Sequence, residues 1–238
     1  MNKIIKNAQQ TVLKILSGKI DDFCLGGGTA LSLFYFRHRE SFDLDFFSRR
    51  FANERVYEII EFLANKLKKE VKLTAEQTEK NRAKIAVYSV SINTKDFLKI
   101  DFIQDFWESL KSPKKINGIN VFSLEDIYIR KIYAITGAIA GEDIIGRNLS
   151  KGGRTEAKDF FDLYHLSHTF LRLSQFCFKY GDSTMRELLI RCFRTYSRMD
   201  IKTGLMELDL NATADYALME RHFKKEIDKI IDKEVEFL

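Results

Sequence analysis

Two aspartates separated by one apolar residue restrict how this chain can fold. Asp43, Leu44 and Asp45 are followed directly by Phe46 and Phe47. Side chains alternate between the two faces of a strand, so the aspartates share one face, while Leu44 and Phe46 lie on the other. Because an unpaired buried charge is costly, we expect the aspartates to face a cavity or a sheet edge. Such a pair can hold a divalent metal ion, although on its own it is also common on solvent-exposed surfaces.

Three consecutive glycines precede the aspartates, between a predicted strand at residues 23–25 and a predicted helix. The backbone N–H groups of Gly26, Gly27 and Gly28 can bind a phosphate at the helix start, and glycine permits close approach. A tight structural turn explains these glycines equally well, and neither GxxxxGK[ST] nor GxGxxG is present. A strand, a glycine turn, a helix, a basic turn and a strand, in that order, are typical of a nucleotide-binding corner.

Periodicity along the rest of the chain predicts an α+β fold. Apolar alternation predicts strands at residues 23–25, 43–47, 71–75, 82–92, 97–103 and 119–122. With helices before and between them, these strands predict a mixed β-sheet domain with flanking helices over residues 1–122. From Ser123 the spacing becomes helical and predicts a helical C-terminal lobe over residues 123–238. A glycine-rich stretch at 137–153 is the exception and reads as a mobile loop.

Composition limits the class of protein. Hydrophobic residues make up 45% of the 238 residues, enough for a sizeable core. Apolar runs are too short for a membrane span and the start is polar, so we expect a cytoplasmic protein without membrane association. Cys24, Cys177 and Cys192 lack CxxC spacing and are read as buried free thiols. The net charge of +5 favours an anionic partner without identifying it.

Asp101 is a third candidate carboxylate. It lies on the predicted strand at 97–103 with an apolar residue on each side. One interpretation makes it a further metal ligand beside Asp43 and Asp45. The other makes it an edge-facing charge paired with Lys99 or Arg82, and the sequence leaves both open.

Three segments, in order, resemble the motifs of a known family. Residues 25–33 (LGGGTALSL) and 39–47 (RESFDLDFF) resemble the first motif of the AbiEii/AbiGii toxin family of nucleotidyltransferases, which belongs to the polymerase-beta-like superfamily. Residues 125–134 (EDIYIRKIYA) resemble its helix with a functional lysine, and residues 158–163 (KDFFDL) resemble its RDxxDL segment. Lys158 stands where arginine is usual, and Arg130 stands where glutamate is common.

The resemblance implies a nucleotidyltransferase domain whose active cleft is completed by the C-terminal lobe. Gly27, Gly28 and Thr29 would hold the triphosphate of a nucleoside triphosphate (NTP). Asp43 and Asp45 would be catalytic and would bind Mg²⁺ or Mn²⁺. Metal neutralises charge and orients oxygens in phosphoryl chemistry, which is consistent with these assignments.

Two further catalytic positions follow from the resemblance. Lys131 would contact phosphate, and Asp159 would be a catalytic or activating acid. As alternatives, Lys131 snorkels from a surface helix, and Asp159 and Asp162 form a solvated helix face. The aromatic residues around these aspartates favour a packed helix, with Asp159 read as functional and Asp162 as structural.

The implied reaction moves a nucleoside monophosphate from an NTP to an acceptor hydroxyl and releases pyrophosphate. By resemblance, the acceptor is the 3′ end of tRNA, and the protein is the toxin of a bacterial toxin–antitoxin or phage-defence pair with a cognate antitoxin protein. Arg191, Arg194 and Arg198 form a helical stripe that fits an RNA backbone or a plain solvated face. Two other hypotheses stay open: modification of a protein or small molecule, and a catalytically degenerate binding module.

Overall fold

The chain divides into two compact units, Met1–Ser123 and Leu124–Leu238. The structure is a computed structural model that describes residues 3–79, 82–142, 148–151, 153–211 and 215–236, and of residues 138–151 it describes the backbone alone. No helix among these residues is both long and apolar enough to span a membrane. Each unit is described in turn.

The first unit alternates helices with short strands. Helix α1 (Lys3–Leu16) precedes strand β1 (Cys24–Leu25), and helix α2 (Gly27–Ala30) continues directly as the π-helical turn Leu31–Tyr35. The remaining elements are, in chain order, β2 (Leu44–Ser48), α3 (Asn53–Leu67), β3 (Val71–Gln77), β4 (Ile85–Ser91), β5 (Phe97–Gln104), β6 (Lys114–Ile116) and β7 (Ile119–Val121). The strands predicted from periodicity are all present, with ends shifted by a few residues.

The strands form one mixed seven-stranded sheet in the order β3-β4-β5-β2-β1-β7-β6. The pairs β2 with β5 and β1 with β7 are parallel, and the other pairs are antiparallel. Strand β5 therefore lies inside the sheet, between β4 and β2. The α+β prediction is confirmed, and the prediction that Asp101 faces an edge of the sheet is wrong.

Apolar alternation on β2 and β5 builds the core of the first unit. Leu44 and Phe46 are fully buried, as are Ile100 and Phe102 opposite them in the parallel register. The rings of Phe46 and Phe102 stack with centroids 5.6 Å apart. Since buried aromatic rings contribute strongly to stability, this packing fixes one face of both strands in the core. The carboxylates of Asp45 and Asp101 therefore lie on the opposite face of the sheet.

In the residues that the structure describes, the second unit consists of helices and one pair of strands. Its helices are α4 (Leu124–Thr136), α5 (Ala157–His165) with the π-helical turn Leu166–Phe170, α6 (Leu173–Tyr180), α7 (Ser183–Thr195), α8 (Arg198–Glu207) and α9 (Tyr216–Glu236). Strands β8 (Ala138–Glu142) and β9 (Asn148–Lys151) pair antiparallel within the stretch predicted as a loop. That prediction is wrong for these two segments, and its residues 143–147 and 152 lie outside the described residues.

Helix α5 lies at the centre of the second unit, where it packs against α4, α8 and α9. Phe160 on α5 contacts Phe193 with ring centroids 5.7 Å apart, and Phe193 contacts Phe223 at 4.6 Å. These three rings are buried. The aromatic core surrounds α5, so the polar residues of this helix are held in a packed environment.

Candidate active site

The first candidate cluster, which we call the acidic corner, consists of Asp43, Asp45, Asp101 and Lys99. Asp45 and Asp101 occupy the same level of the parallel strands β2 and β5. Asp43 immediately precedes β2 and is half-buried, as Asp45 is. Asp101 is only 8% exposed. The fold thus brings together three carboxylates that are predicted to bind metal, from segments almost sixty residues apart in the chain.

Lys99 supplies positive charge to the acidic corner. Its Nζ donates to Asp101 Oδ2 over 2.6 Å. Partial burial disfavours the charged ammonium, but the hydrogen bond to Asp101 and the charges of Asp101, Asp43 and Asp45 outweigh it, so the pKa of Lys99 is raised. The predicted pairing of Asp101 with Lys99 is therefore present, whereas Arg82 pairs with Glu79 at 3.4 Å.

The glycine turn lies against the acidic corner. Gly26 N–H donates to the carbonyl oxygen of Asp45 over 2.9 Å, which ties the turn to β2. Gly27 has φ +65°, a left-handed conformation that favours glycine. A Cβ added at Gly27 would overlap Oδ2 of Asp45. The backbone of Gly27 is therefore as close to the Asp45 carboxylate as the absence of a side chain allows.

Substitution of Gly27 by alanine should disrupt the corner, and Gly18 offers a matched control. Gly18 has φ +67°, but a Cβ there would meet nothing within 4 Å. Gly18→Ala should cost about 1 kcal/mol through backbone strain alone. Gly27→Ala should cost more and should weaken metal binding, because the Asp45 carboxylate must move. Urea unfolding and Mn²⁺ titration of both variants measure this, and equal effects at the two sites would contradict it.

Thr29 fastens the loop that carries Asp43. Its fully buried hydroxyl donates to the carbonyl oxygen of Asp43 and contacts Ser41 Oγ at 2.8 Å. Gln9 from α1 donates to the carbonyl oxygen of Ser41 over 2.9 Å. The Thr29 hydroxyl thus holds the backbone next to the acidic corner. Its predicted contact with a triphosphate stays a prediction.

Arg39 is a residue of the site to which the sequence assigned no role. Its side chain is 4% exposed and lies against Gly28, where an added Cβ would overlap Nη2. Ser32 Oγ donates to the carbonyl oxygen of Arg39 over 2.7 Å, and Arg39 Nη1 donates to that of Glu40 over 2.9 Å. Its place between the glycines and the aspartates is visible in the sequence, but its contact with Gly28 exists only in the folded chain.

The second cluster lies in the second unit and is buried. Nζ of Lys131 on α4 is 2.6 Å from Asp159 Oδ1 and 2.6 Å from Asp162 Oδ2, both on α5. Both aspartates are fully buried, and Arg154 Nη2 lies 3.1 Å from Asp159 Oδ2. The chain therefore brings the predicted catalytic residues Lys131 and Asp159 into direct contact.

These contacts decide between the alternatives for the second cluster. Lys131 is 6% exposed, so it does not snorkel from a surface helix. Asp159 and Asp162 do not form a solvated face, because both bind Lys131 inside the unit. The sequence favours a functional role for Asp159 and a structural role for Asp162, yet both aspartates hold the same ammonium at the same distance. Functional roles for Lys131 and Asp159 stay predictions.

The chemistry of the acidic corner fits a hard divalent cation. Its three carboxylates supply the oxygen ligands that Mg²⁺ and Mn²⁺ prefer, and the ammonium of Lys99 already lies on one of them. Within the described parts of the chain, no three or more Asp, Glu, His or Cys side chains are already arranged to hold a metal ion. The metal assignment of Asp43, Asp45 and Asp101 stays a prediction.

The prediction of one helical arginine stripe is wrong, because Arg191 and Arg194 lie on α7 whereas Arg198 begins α8. Two of its arginines also pair with glutamates. Arg191 pairs with Glu187 at 2.8 Å, and Arg198 pairs with Glu220 at 2.8 Å. All four side chains are largely exposed, where ion pairs contribute little to stability. The two ion pairs favour the solvated-face interpretation over a track for RNA.

Comparison with known proteins adds three findings. A model of the nucleotidyltransferase AbiEii toxin family, of type IV toxin–antitoxin systems, matches residues 12–237. A candidate nucleotidyltransferase from H. pylori of known crystal structure has a TM-score of 0.58 and 16% identity, over 98% of this chain and 96% of that one. JHP933 from Helicobacter pylori has a TM-score of 0.57 and 17% identity, over 100% and 97%. At these identities the two structures support the fold alone, and no curated protein sequence matches this chain.

Proposed function

The chain belongs to the AbiEii nucleotidyltransferase toxin family, as its three motifs predict, and we propose that the acidic corner is where it transfers a nucleoside monophosphate from an NTP. In this reaction an acceptor hydroxyl attacks the α-phosphorus, the bond to the bridging oxygen breaks, and pyrophosphate leaves. The observation that carries the proposal is the meeting of Asp45 and Asp101 on parallel strands, with Gly27 against the Asp45 carboxylate.

Asp43 and Asp45 are the proposed metal ligands, with Asp101 as the third carboxylate. Mg²⁺ or Mn²⁺ held there would neutralise triphosphate charge and align the reacting oxygens. The protein contributes rigidity: the buried residues Leu44 and Phe46 fix the strand that carries Asp45, and Thr29 fixes the backbone at Asp43. Because these positions are set before a nucleotide binds, the carboxylates need little reorganisation during the reaction.

The glycine turn is the proposed triphosphate site. The backbone of Gly27 lies against the side chain of Asp45, and the backbone of Gly28 lies against the side chain of Arg39. A phosphate bound to their N–H groups would therefore lie beside the carboxylates that hold the metal. The left-handed conformation of Gly27 supports this role, because a residue with positive φ can orient neighbouring backbone N–H groups toward one anion.

Lys131 is proposed to contact phosphate and Asp159 to be a catalytic or activating acid, as the family resemblance implies. Lys131 is bound by two buried aspartates, so a phosphate would have to share its ammonium with these carboxylates. Asp159 also faces the guanidinium of Arg154, which is 55% exposed. The second cluster therefore has one solvent-accessible cation and one buried cation near the same carboxylate.

We propose RNA as the acceptor, specifically the 3′ end of tRNA, and a cognate antitoxin protein as the partner that restrains the activity in a toxin–antitoxin or phage-defence setting. The family's description as toxins of type IV toxin–antitoxin systems supports the antitoxin. The net charge of +5 is compatible with a polyanionic acceptor.

Label transfer to candidate acceptors tests the proposed function. The protein is incubated with each α-³²P-labelled NTP, Mg²⁺ and total RNA, purified tRNA or total protein as separate acceptors. Label should enter tRNA with the wild-type chain and not with the Asp43→Ala/Asp45→Ala variant. Label that enters protein and not RNA would make protein the acceptor in place of tRNA. No incorporation with any nucleotide, acceptor or metal would contradict the proposed reaction.

A further inference from the structure

Lys99 is a charged residue of the acidic corner that has no assigned role in the proposed reaction. Its Nζ lies 2.6 Å from Oδ2 of Asp101, the third proposed metal ligand. The two side chains differ in exposure: 47% of the Lys99 side chain is accessible to solvent, whereas the Asp101 side chain is largely buried. The carboxylate is therefore fixed within the sheet, whereas the ammonium end can reach water.

The position of Lys99 follows from the register of the sheet. Lys99 precedes Asp101 by two residues on β5, so both side chains lie on one face. Asp45 pairs with Asp101 in the parallel register, and Asp43 and Lys99 each lie two residues before them in the chain. On the other side, β4 pairs Ser89 with Lys99 and Val87 with Asp101, which are uncharged neighbours. Strand β5 thus carries both the third carboxylate and the ammonium that binds it.

We propose that Lys99 is the resident counter-ion of the acidic corner, and that a divalent cation binds by displacing it from Asp101. The inference rests on the proposed function, because it assumes that these aspartates bind metal. Without a metal, three clustered carboxylates repel one another, and one ammonium among them offsets that repulsion. An ammonium and a divalent ion on the same Asp101 carboxylate repel each other because their charges are alike, so binding is an exchange of cations.

Displacement has a physical route in this structure. The long side chain of Lys99 is almost half exposed, and an ammonium is readily solvated once it leaves a carboxylate. Asp101 stays in place because β5 is held on both sides by β4 and β2. The exchange therefore needs a rotation of one side chain and leaves the sheet unchanged.

Removal of the Lys99 charge should have two opposite effects. Lys99→Gln should bind Mn²⁺ about tenfold more tightly than the wild-type chain, since a unit charge beside a divalent ion is repulsive even with strong solvent screening. The same variant without metal should melt at a lower temperature, because the three carboxylates lose their counter-ion. Saturating Mn²⁺ should restore its melting temperature to that of the metal-saturated wild type.

The test is a calorimetric Mn²⁺ titration at fixed pH and ionic strength, with no nucleotide present. Lys95→Gln is the matched control, because Lys95 lies in the exposed turn that leads into β5 and its substitution removes the same charge. Lys99→Arg is a second variant, which keeps the charge and should stay within about threefold of the wild type. Lys99→Gln should bind Mn²⁺ most tightly. The wild type, Lys95→Gln and Lys99→Arg should bind it with similar affinities.

Each outcome separates the inference from the proposed function. Wild-type binding that is lost in Asp45→Asn but unchanged in Lys99→Gln overturns the role of Lys99 and leaves the proposed metal site standing. Weaker binding in Lys99→Gln likewise overturns the inference, because it makes Lys99 a support for the metal instead of its competitor. Absence of binding in both the wild type and Lys99→Gln removes the metal site itself, and the inference with it.

Discussion

Asp45→Asn is expected to reduce nucleotidyl transfer by roughly a thousandfold or more, since a bound metal contributes several kcal/mol to the stability of a charged transition state. Asn keeps the size of the side chain but removes the charge that holds a divalent cation. Asp45 is half-buried and shares its level in the sheet with Asp101. The loss should appear in kcat under saturating NTP and Mg²⁺, and Asp43→Asn should behave in the same way.

Stability separates a catalytic effect from damage to the fold. Asp45→Asn keeps the shape of a half-buried side chain, so its free energy of unfolding should lie within about 1 kcal/mol of the wild-type value. Asp228→Asn, on the exposed face of α9, is the matched control and should leave both activity and stability unchanged. Retention of more than about a tenth of the wild-type kcat in a folded Asp45→Asn protein would contradict the assignment of the acidic corner.

The second large effect is expected from Lys131→Met, which should destabilise the protein by about 3–5 kcal/mol. The substitution removes the ammonium that Asp159 and Asp162 share, each at 2.6 Å and each fully buried. Two carboxylates would then lie close together in a packed interior, with Arg154 bound to one of them. The free energy of unfolding in urea, compared with that of the wild type, measures the effect.

Lys158→Met is the control for this prediction. Lys158 lies on α5, adjacent in sequence to Asp159, but its side chain is 40% exposed and pairs with Glu156 at the surface. Exposed ion pairs contribute little, so this variant should lose no more than about 1 kcal/mol. If Lys131→Met were no more destabilising than Lys158→Met, the buried ion cluster would not stabilise the second unit.

Local patterns explain which elements of the fold the sequence predicts. Leu44 and Phe46 alternate with Asp45, and the structure confirms that the apolar pair is buried and that the aspartate lies on the other face. Strand β6 has no signal of its own in the sequence, because Lys114 and Lys115 are consecutive polar residues and show no apolar alternation. The signal for its hairpin was nevertheless present as Asn117 and Gly118, which have φ values of +49° and +77° and form a turn sequence typical of two-residue hairpins.

Long-range pairings explain what the sequence does not predict. The parallel pairing of β2 with β5 places Asp45 beside Asp101 across more than fifty residues, and no local pattern encodes that register. The contact of Lys131 with Asp159 and Asp162 likewise depends on how α4 and α5 pack. Motif resemblance selected Lys131 and Asp159 without showing that they touch. It also gave no role to Arg39 or Lys99, whose importance lies in contacts with Gly28 and Asp101.

The position of the transferred phosphate tests the central claim most directly. Wild-type protein and Asp45→Asn are incubated in parallel with tRNA, Mg²⁺ and one NTP labelled at either the α- or the γ-phosphate. Transfer of a nucleoside monophosphate at the acidic corner requires that α-label enters the RNA and γ-label is released as pyrophosphate, both only with the wild type. Entry of γ-label into the acceptor, or equal α-label transfer by Asp45→Asn, would contradict the claim.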